Sequence, residues 1–423
     1  MELPHPRIGS LLRESYDAAS FQSICELLAS AGTLRIPRLE TGLFAAASTT
    51  EFSQGTNYHS TWVRDTVHVA YAHFANGQPA VAAKAAAALC QFFRTQEPRL
   101  RDVIKNPALK ADPMRRPHIR FNGDTLQELS QQWAHAQNDA IGYFLWLTTT
   151  LCQEQVLPLG PDDVSLLQLF PQYLAAIEYW ADEDSGHWEE TRKIEASSIG
   201  PVVAGLRKLQ ALWPSATTQQ LIARGEQALC EILPAECRQP DPAKSREYDS
   251  ALLFLIYPLG VVSVDSPMAE TIVTRTVENL LGPVGIKRYL KDSFYCNDYE
   301  SLIAAAGDDP TRDFSNDQAT RDAMLKPNAE AQWCLFDPII SVIYGQRYLL
   351  HRRSTDHERQ TFFLNRSLRQ ITVSDPPRCA ELQCPELYYV ERGKLQTSKA
   401  VPLLWTQANL WTALTVMEQA LAT

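Results

Sequence analysis

The sequence runs to 423 residues, 45% hydrophobic and 21% charged, the make-up of a folded globular chain with ample apolar material for a large core. Its 39 Lys and Arg stand against 49 Asp and Glu, a formal net charge of −10. That balance argues against binding a phosphate backbone, which requires clustered Lys and Arg, so no nucleic-acid partner is expected, and short runs such as Arg115-Arg116 and His351-Arg352-Arg353 read as solvated surface.

The chain opens Met1-Glu-Leu-Pro-His-Pro-Arg7 without an apolar signal-type stretch, which predicts a cytoplasmic protein. Apolar residues at helical spacing follow near 9–31, 62–76, 79–96 and 125–151. Between Asp162 and Trp180, Leu167, Phe170, Leu174 and Ile177 share a face; Asp162-Asp163 supply N-cap chemistry, and Pro171 is expected to kink or restart the helix. Further helical patterns lie near 195–212, 217–233, 248–257, 266–281, 330–350 and 355–372. The longest apolar run, Ala251 to Val264, contains Pro258 and Gly260 and is too short to span a bilayer. In the last segment Leu403, Leu410, Leu414, Met417 and Leu421 again keep to one face.

The periodicity predicts about a dozen helices. Alternating strands are scarce, so the fold class is all-α. Long polar or Pro-bearing loops fall near 32–61, 98–124, 183–194, 282–329 and 374–402, and loops of this length in a helical domain carry function. No linker divides the chain: residues 1–423 read as one domain, with 1–40 a helical segment packed on it. No motif repeats at a fixed period, which disfavours an open solenoid. Helices closed into inner and outer rings would instead gather the loops into a funnel at one end. Nine cysteines lie without metal-ligand spacing and read as reduced thiols.

Four polar constellations interrupt this pattern. Tyr58-His-Ser-Thr-Trp62-Val-Arg64-Asp65 combines aromatic faces with charged groups, the pairing that recognises sugars, although a helix start with a local ion pair would look alike. Trp133-Ala-His135-Ala-Gln137-Asn138-Asp139 is a polar entry to an apolar helix. His187-Trp188-Glu189-Glu190 sets a carboxyl among an indole and a second acid, which suits a general acid as well as an ordinary surface loop. Cys384-Pro-Glu386-Leu-Tyr388-Tyr389 places a carboxylate among aromatics behind a proline, the setting of an oriented general base. No HExxH or clustered His and Asp spacing calls for a metal, no nucleophile elbow is present, and no cofactor is implied.

In this order the four motifs resemble glycoside hydrolase family 15, a likeness running from about residue 40 to 420. The family holds glucoamylases, glucodextranases, some trehalases and the N-terminal domains of phosphorylase kinase regulatory subunits. The wording of Pro385–Val390, Arg288-Tyr-Leu-Lys-Asp292, Glu195–Gly200 and Glu330-Ala-Gln-Trp333 is similar to the kinase subunits. The resemblance implies an (α/α)6 toroid and inverting hydrolysis at a non-reducing end, with Glu189 as general acid and Glu386 as general base. It also implies that Arg64 and Asp65 hold hydroxyls of the terminal glucose, with Tyr58 and Trp62 lining that subsite. Trp133 would stack on the sugar or support Glu189, Arg288 would help hold the sugar, and Asp139, Trp188, Glu190 and Tyr388 complete the expected substrate-binding set. Asn138 stands where fungal glucoamylases carry Arg, and Tyr389 where they carry Asp.

The expected partner is an α-glucan or oligosaccharide, with no membrane and no identified protein partner. The reading is an inverting α-glucosidase of glucoamylase type. The alternatives are a non-catalytic glucan-binding or regulatory domain, and a trehalase. An inverting pair requires its carboxyls ~6.5–9.5 Å apart, and residues separated by half the chain meet at that range only if the ring closes.

Overall fold

The computed structural model describes residues 4–48, 58–301, 318–323, 325–326, 328–376 and 378–423. Parts of the loops expected at 32–61, 282–329 and 374–402 lie outside the described residues.

Helices of two kinds alternate along the chain. Ala18–Ala31, Pro79–Thr95, Pro161–Ile177, Ala216–Ile232, Pro267–Leu280 and Ser354–Arg369 each keep an exposed face. Val63–Ala75, Asn138–Gln153, Ala196–Leu212, the short Leu253–Ile256, Phe336–His351 and Leu404–Leu421 are buried over most of their surface. A helix apolar all round can be stable only inside a shell of others. The six buried helices touch in a cycle, 63–75 on 138–153, then 196–212, 253–256, 336–351, 404–421 and back to 63–75. Outside them, 79–95 packs on 63–75, 216–232 on 196–212, 267–280 on 253–256, 354–369 on 336–351 and 18–31 on 404–421, while 161–177 bridges 79–95 and 216–232. This is the expected (α/α)6 toroid. Among the described residues, no helix is long and apolar enough to cross a membrane.

The hole of the ring is filled rather than open. The His68 ring lies 4.4 Å from the Trp405 ring, 4.8 Å from Tyr143 and 4.8 Å from Phe254, so side chains from four inner helices form a floor. The connections are unequal at the two ends. Inner helices pass to outer ones through 76–78, 154–160, 213–215, 257–266 and 352–353; outer helices reach inner ones through the much longer 32–62, 96–137, 178–195, 233–252, 281–335 and 370–403. All four motifs therefore lie on one mouth, at the N-termini of the inner helices. Two three-stranded antiparallel sheets edge it, Thr61–Trp62 with Arg120–Asn122 and Gln127–Glu128, and Gln332–Trp333 with Leu387–Glu391 and Lys394–Thr397.

Local chemistry sets several boundaries away from their expected places. The helix expected at 9–31 divides into Pro6–Gly9 and Ala18–Ala31, because Asp17 and Ser20 form a capping box and Gly32 ends the second piece at φ 71°. Helix Asn138–Gln153 starts well after 125, since 120–128 is drawn into the small sheet, and part of the loop expected at 98–124 is the helix Glu97–Lys105. Asp162 and Asp163 lie in a first turn capped at Gly160, whose N–H donates to Asp163 at 3.1 Å, and the helix continues through Pro171. The N-terminal segment packs on the last hairpin, with Ile8, Phe21 and Leu28 against Leu364, Leu368 and Met417, and Tyr16 donates to Asn365 at 2.5 Å.

The tightest crossing joins 138–153 to 196–212. A Cβ added at Gly142 would stand 2.3 Å from the backbone of Pro201 and Val202, and one at Gly205 2.7 Å from Leu145 Cβ. Because the obstacle at Gly142 is backbone, Gly142→Ala is expected to cost about 1–3 kcal/mol. Calorimetry should find its unfolding midpoint below the native one, and an unchanged midpoint would mean that the crossing is less tight than described.

Candidate active site

The segment 58–65 carries the first motif across the mouth. Thr61 and Trp62 pair with Phe121 and Arg120, and Trp62 then caps the helix Val63–Ala75. Arg120 is held over the rings of Trp133 at 3.8 Å and Trp62 at 4.9 Å, which fixes both indoles by cation–π contact. Trp62 Nε1–H donates to Glu189 Oε1 at 2.8 Å. Four residues earlier, Tyr58 O–H donates to Glu386 Oε1 at 2.7 Å. The Tyr58 and Trp62 ring centroids are 5.8 Å apart, so the carboxyls of Glu189 and Glu386 are carried on neighbouring rings of one short segment.

Glu189 also accepts from Gln137 Nε2 at 3.1 Å, and Arg64 Nη2 lies 3.8 Å from it. Its backbone sits at φ 57°, a left-handed conformation that costs free energy in a side-chain-bearing residue and turns the carboxyl away from the direction its neighbour takes. The same turn contains Gly186 at φ 60°, where a Cβ would lie 1.5 Å from the Glu195 carboxyl. Glu386 is fixed by register. It precedes the hairpin Leu387–Glu391 with Lys394–Thr397, its C=O accepts from Cys334 N–H at 2.9 Å, and its N–H donates to Ala400 at 3.2 Å. Ser398 O–H donates to its Oε2 at 2.9 Å. Burial pushes the Glu386 carboxyl up to about 7, even though the Tyr58 and Ser398 hydroxyls pull the other way.

Asp65 keeps partial exposure and lines the mouth, and no side chain among the described residues bonds it. Burial raises it to about 6 against the pull of Arg64. Arg64 is buried, ion-paired with Asp139 and bonded to Gln137 Oε1 at 3.2 Å. Asp139 is wholly buried, with His187 Nδ1 at 3.5 Å, and Tyr143 O–H meets His187 Nε2 at 3.1 Å. Asp139 thus stands behind Arg64 and aims it, rather than facing a ligand.

Two further expectations need correction. Glu190 does not face the mouth: Oε1 accepts from Tyr289, from Arg321 at 2.6 Å and from Arg288 at 3.4 Å, and Oε2 from Arg246 at 2.9 Å. Burial alone would raise it, but Arg321, Arg246 and Arg288 together hold it far below the carboxylate range. Tyr388 is buried and donates to the Gln370 carbonyl at 2.8 Å, pointing away from the site because it alternates with its strand neighbours. Arg288 is clamped by Asp292 at 2.6 and 2.7 Å and lies over Trp333 at 4.8 Å and Trp188 at 5.0 Å. Its Nη1 has no hydrogen-bond partner among the described residues. Trp188 Nε1–H donates to both Asp249 oxygens at 3.0 Å, which leaves it as a wall of the site.

Several participants were not singled out by the sequence. Ser398 reaches Glu386 across the hairpin, and nothing in local composition marks it. Tyr295, at φ 52°, packs on Tyr389 at 5.0 Å, and its phenol is raised by burial and by the charge of Glu386. Gln137, which touches both Glu189 and Arg64, belongs to the Trp133–Asp139 stretch, where residue type alone gives it no role. Tyr389, in place of the fungal aspartate, backs Tyr295. Asn138 donates to Asp182 at 3.0 Å, below the site. Among the described residues, Glu195, Glu236 and Cys237 form a buried group whose atoms, within 4.8 Å, could hold a cation; Lys193 already lies 3.3 Å from Glu195, and Ser197 donates to Glu236 at 2.5 Å.

The sequence model described as Glycosyl hydrolases family 15 matches residues 26–422. The chain is 25% identical over 307 residues to the probable phosphorylase b kinase regulatory subunit alpha of Caenorhabditis elegans, covering 65% of this chain and 22% of that subunit's length. It is 31% identical over 199 residues to the uncharacterized lipoprotein YgeQ of Escherichia coli (strain K12), covering 42% of this chain and 75% of that protein. In fold it is similar to the glucoamylase from Saccharomycopsis fibuligera, with a TM-score of 0.63 and 12% identity over 97% of each chain. It is also similar to a glutamate-to-alanine variant of a glycosidase in complex with glucose, with a TM-score of 0.65 and 18% identity over 96% of this chain and 100% of that one.

The adjacent glutamates differ in what their removal should do. Glu190→Gln would leave three buried arginines under-compensated and is expected to cost about 3–5 kcal/mol. Denaturant titration should show that loss for Glu190→Gln and not for Glu189→Gln; equal stabilities would deny Glu190 its anchoring place.

Proposed function

The chain belongs to glycosyl hydrolase family 15, and from that premise we propose that it is an inverting glycosidase releasing glucose from the non-reducing end of an α-glucoside. The observation that carries this reading is the pair of carboxyls, Glu189 and Glu386, held by the adjacent rings of Trp62 and Tyr58. Two carboxyls facing one another across a sugar can divide the work of hydrolysis. Glu189, protonated, gives its proton to the glycosidic oxygen as the bond to C1 breaks. Glu386, ionised, takes a proton from a water on the opposite face, and the water oxygen bonds to C1 with inversion. Tyr58 and Ser398 orient Glu386 through its two oxygens. Asp65 and Arg64 hold hydroxyls of the terminal sugar, and Trp62 and Trp133 offer it apolar faces. The reacting glucose should fit a mouth in which Arg288 Nη1 is also open to a hydroxyl.

A second reading, a glucan-binding domain without turnover, is favoured by the similarity to the phosphorylase kinase subunit. A trehalase would use the same two glutamates and differ beyond the first sugar.

Proton NMR of the anomer released from maltose, maltotriose, isomaltose and trehalose separates these readings. The native chain should release β-glucose from an α-glucoside, and Glu189→Gln and Glu386→Gln should each lower kcat by about 10²–10⁴-fold. Binding with no release from any of the sugars would instead favour the quiet domain. The pH profile is a further test. Glu386 must be ionised to act, and its carboxyl lies at about 7, so kcat/KM should rise with pH through that region. Tyr58→Phe or Ser398→Ala removes a donor that favours the carboxylate, so either should move this limb to higher pH. A limb that stays in place would assign it to another group.

A further inference from the structure

The ring closes where Leu404–Leu421 meets Val63–Ala75, and a second cavity of ≈ 640 Å³ opens on the outer flank of this seam, between the end of Ala18–Ala31 and the segment 34–38. It is distinct from the carboxyl-bearing mouth. His73, on its wall, follows Arg64 by nine residues on the same helix, which at about 100° and 1.5 Å per residue puts it half a turn round and about 13 Å further along.

The lining carries two arginines and no carboxylate. Arg35 and Arg38 are both exposed to the cavity, and neither guanidinium has an ion-pair or hydrogen-bond partner among the described residues. The arginines of the interior differ: Arg64, Arg116, Arg246, Arg288 and Arg321 are all bound to carboxylates. The same lining includes Trp411, which is partly exposed. Its ring is set by His73, perpendicular at 5.2 Å, and His73 in turn stacks on Phe44 at 5.6 Å and bonds Gln78 Oε1 through Nδ1 at 2.9 Å. Burial, and after it the charge of Arg38, lowers His73 below the usual histidine range, so the floor of the cavity is neutral while its rim is doubly positive. Exposed Gln78 keeps its Nε2 amide without a partner among the described residues.

A fixed aromatic face, two uncommitted guanidinium forks and an amide donor ask for a ligand with a ring, an anion and hydroxyls. Free phosphate would leave Trp411 without use, and a neutral sugar would leave both arginines idle. A nucleotide base would find a single aromatic face rather than two. We propose that this cavity binds a small phosphorylated sugar, with its phosphate between Arg35 and Arg38 and its ring on Trp411. The cavity volume is within the range of small-molecule sites, and such a ligand would tie the 34–38 segment to Trp411 on Leu404–Leu421, the last inner helix of the ring. The proposal stands independently of whether the mouth turns over a glucoside.

Calorimetric titration and tryptophan fluorescence of the full chain test it, with glucose 6-phosphate, glucose and inorganic phosphate as probes. Glucose 6-phosphate should bind saturably and quench fluorescence, and Trp411→Phe should remove that quench. The double variant Arg35→Gln/Arg38→Gln should weaken its binding by about ten-fold or more, with the unfolding midpoint unchanged. No saturable binding up to about 10 mM, or equal affinity in the double variant, would overturn the proposal. Phosphate binding as tightly as the sugar phosphate would remove the role of the ring, and glucose binding as tightly would remove that of the anion; either result rejects the site as drawn.

Discussion

Six helices that close on one another leave no side of the ring for polar groups, and the arrangement of the molecule follows from that. Chemistry has to sit at an end. All six inner helices present their N-termini to the same mouth, where their unpaired N–H groups and partial positive charge converge. The sequence answers with acids at that level: Asp65, Asp139 and Asp337 in first turns, and Glu195 and Asp249 at N-caps. The helix ends offset part of the cost of burying these carboxylates, yet burial still raises Asp65, Asp337, Glu195 and Asp249 above the ordinary range.

Neighbouring glutamates show how the backbone divides such groups. Glu189 and Glu190 are adjacent in the chain, yet the left-handed turn at 189 sends one toward Trp62 and the other into three arginines. The arginine cluster is costly to assemble in a dry interior, and it holds only because Glu190, Asp249 and Asp292 are placed among the guanidinium groups. Its effect is to make the wall behind Trp188 and Trp333 rigid, with Arg288 wedged between charge on one side and aromatic faces on the other.

The fold was legible because the outer helices keep apolar and polar faces at helical spacing, because the inner ones are largely apolar, and because the long polar stretches fell in alternate connections. The ends of elements were less so. Asp17 with Ser20 is a cap readable in retrospect, but the strands at 120–128 owe their form to Thr61 and Trp62 pairing with Phe121 and Arg120 from far along the chain, which no local pattern announces. Within the candidate site, Glu189, Glu386, Trp62 and Arg64 could be named from motif order. Ser398 and Tyr295 could not, since Ser398 meets Glu386, and Tyr295 meets Tyr389, only through tertiary geometry. Glu190, Asp139 and Tyr388 carried the right motif but point elsewhere, because residue type says little about direction once a turn or a strand has set it.

The span from Tyr58 to Trp62 also acts as a spacer. Its two rings are anchors for carboxyls that come from opposite halves of the chain. Were the helices of the toroid to slide on one another, its diameter would change. Anchors set on different helices would transmit every such change to the gap between the carboxyls. Anchors set four residues apart on one strand-to-helix junction would move as a unit, so the gap is gauged by a local piece of backbone rather than by the diameter of the ring.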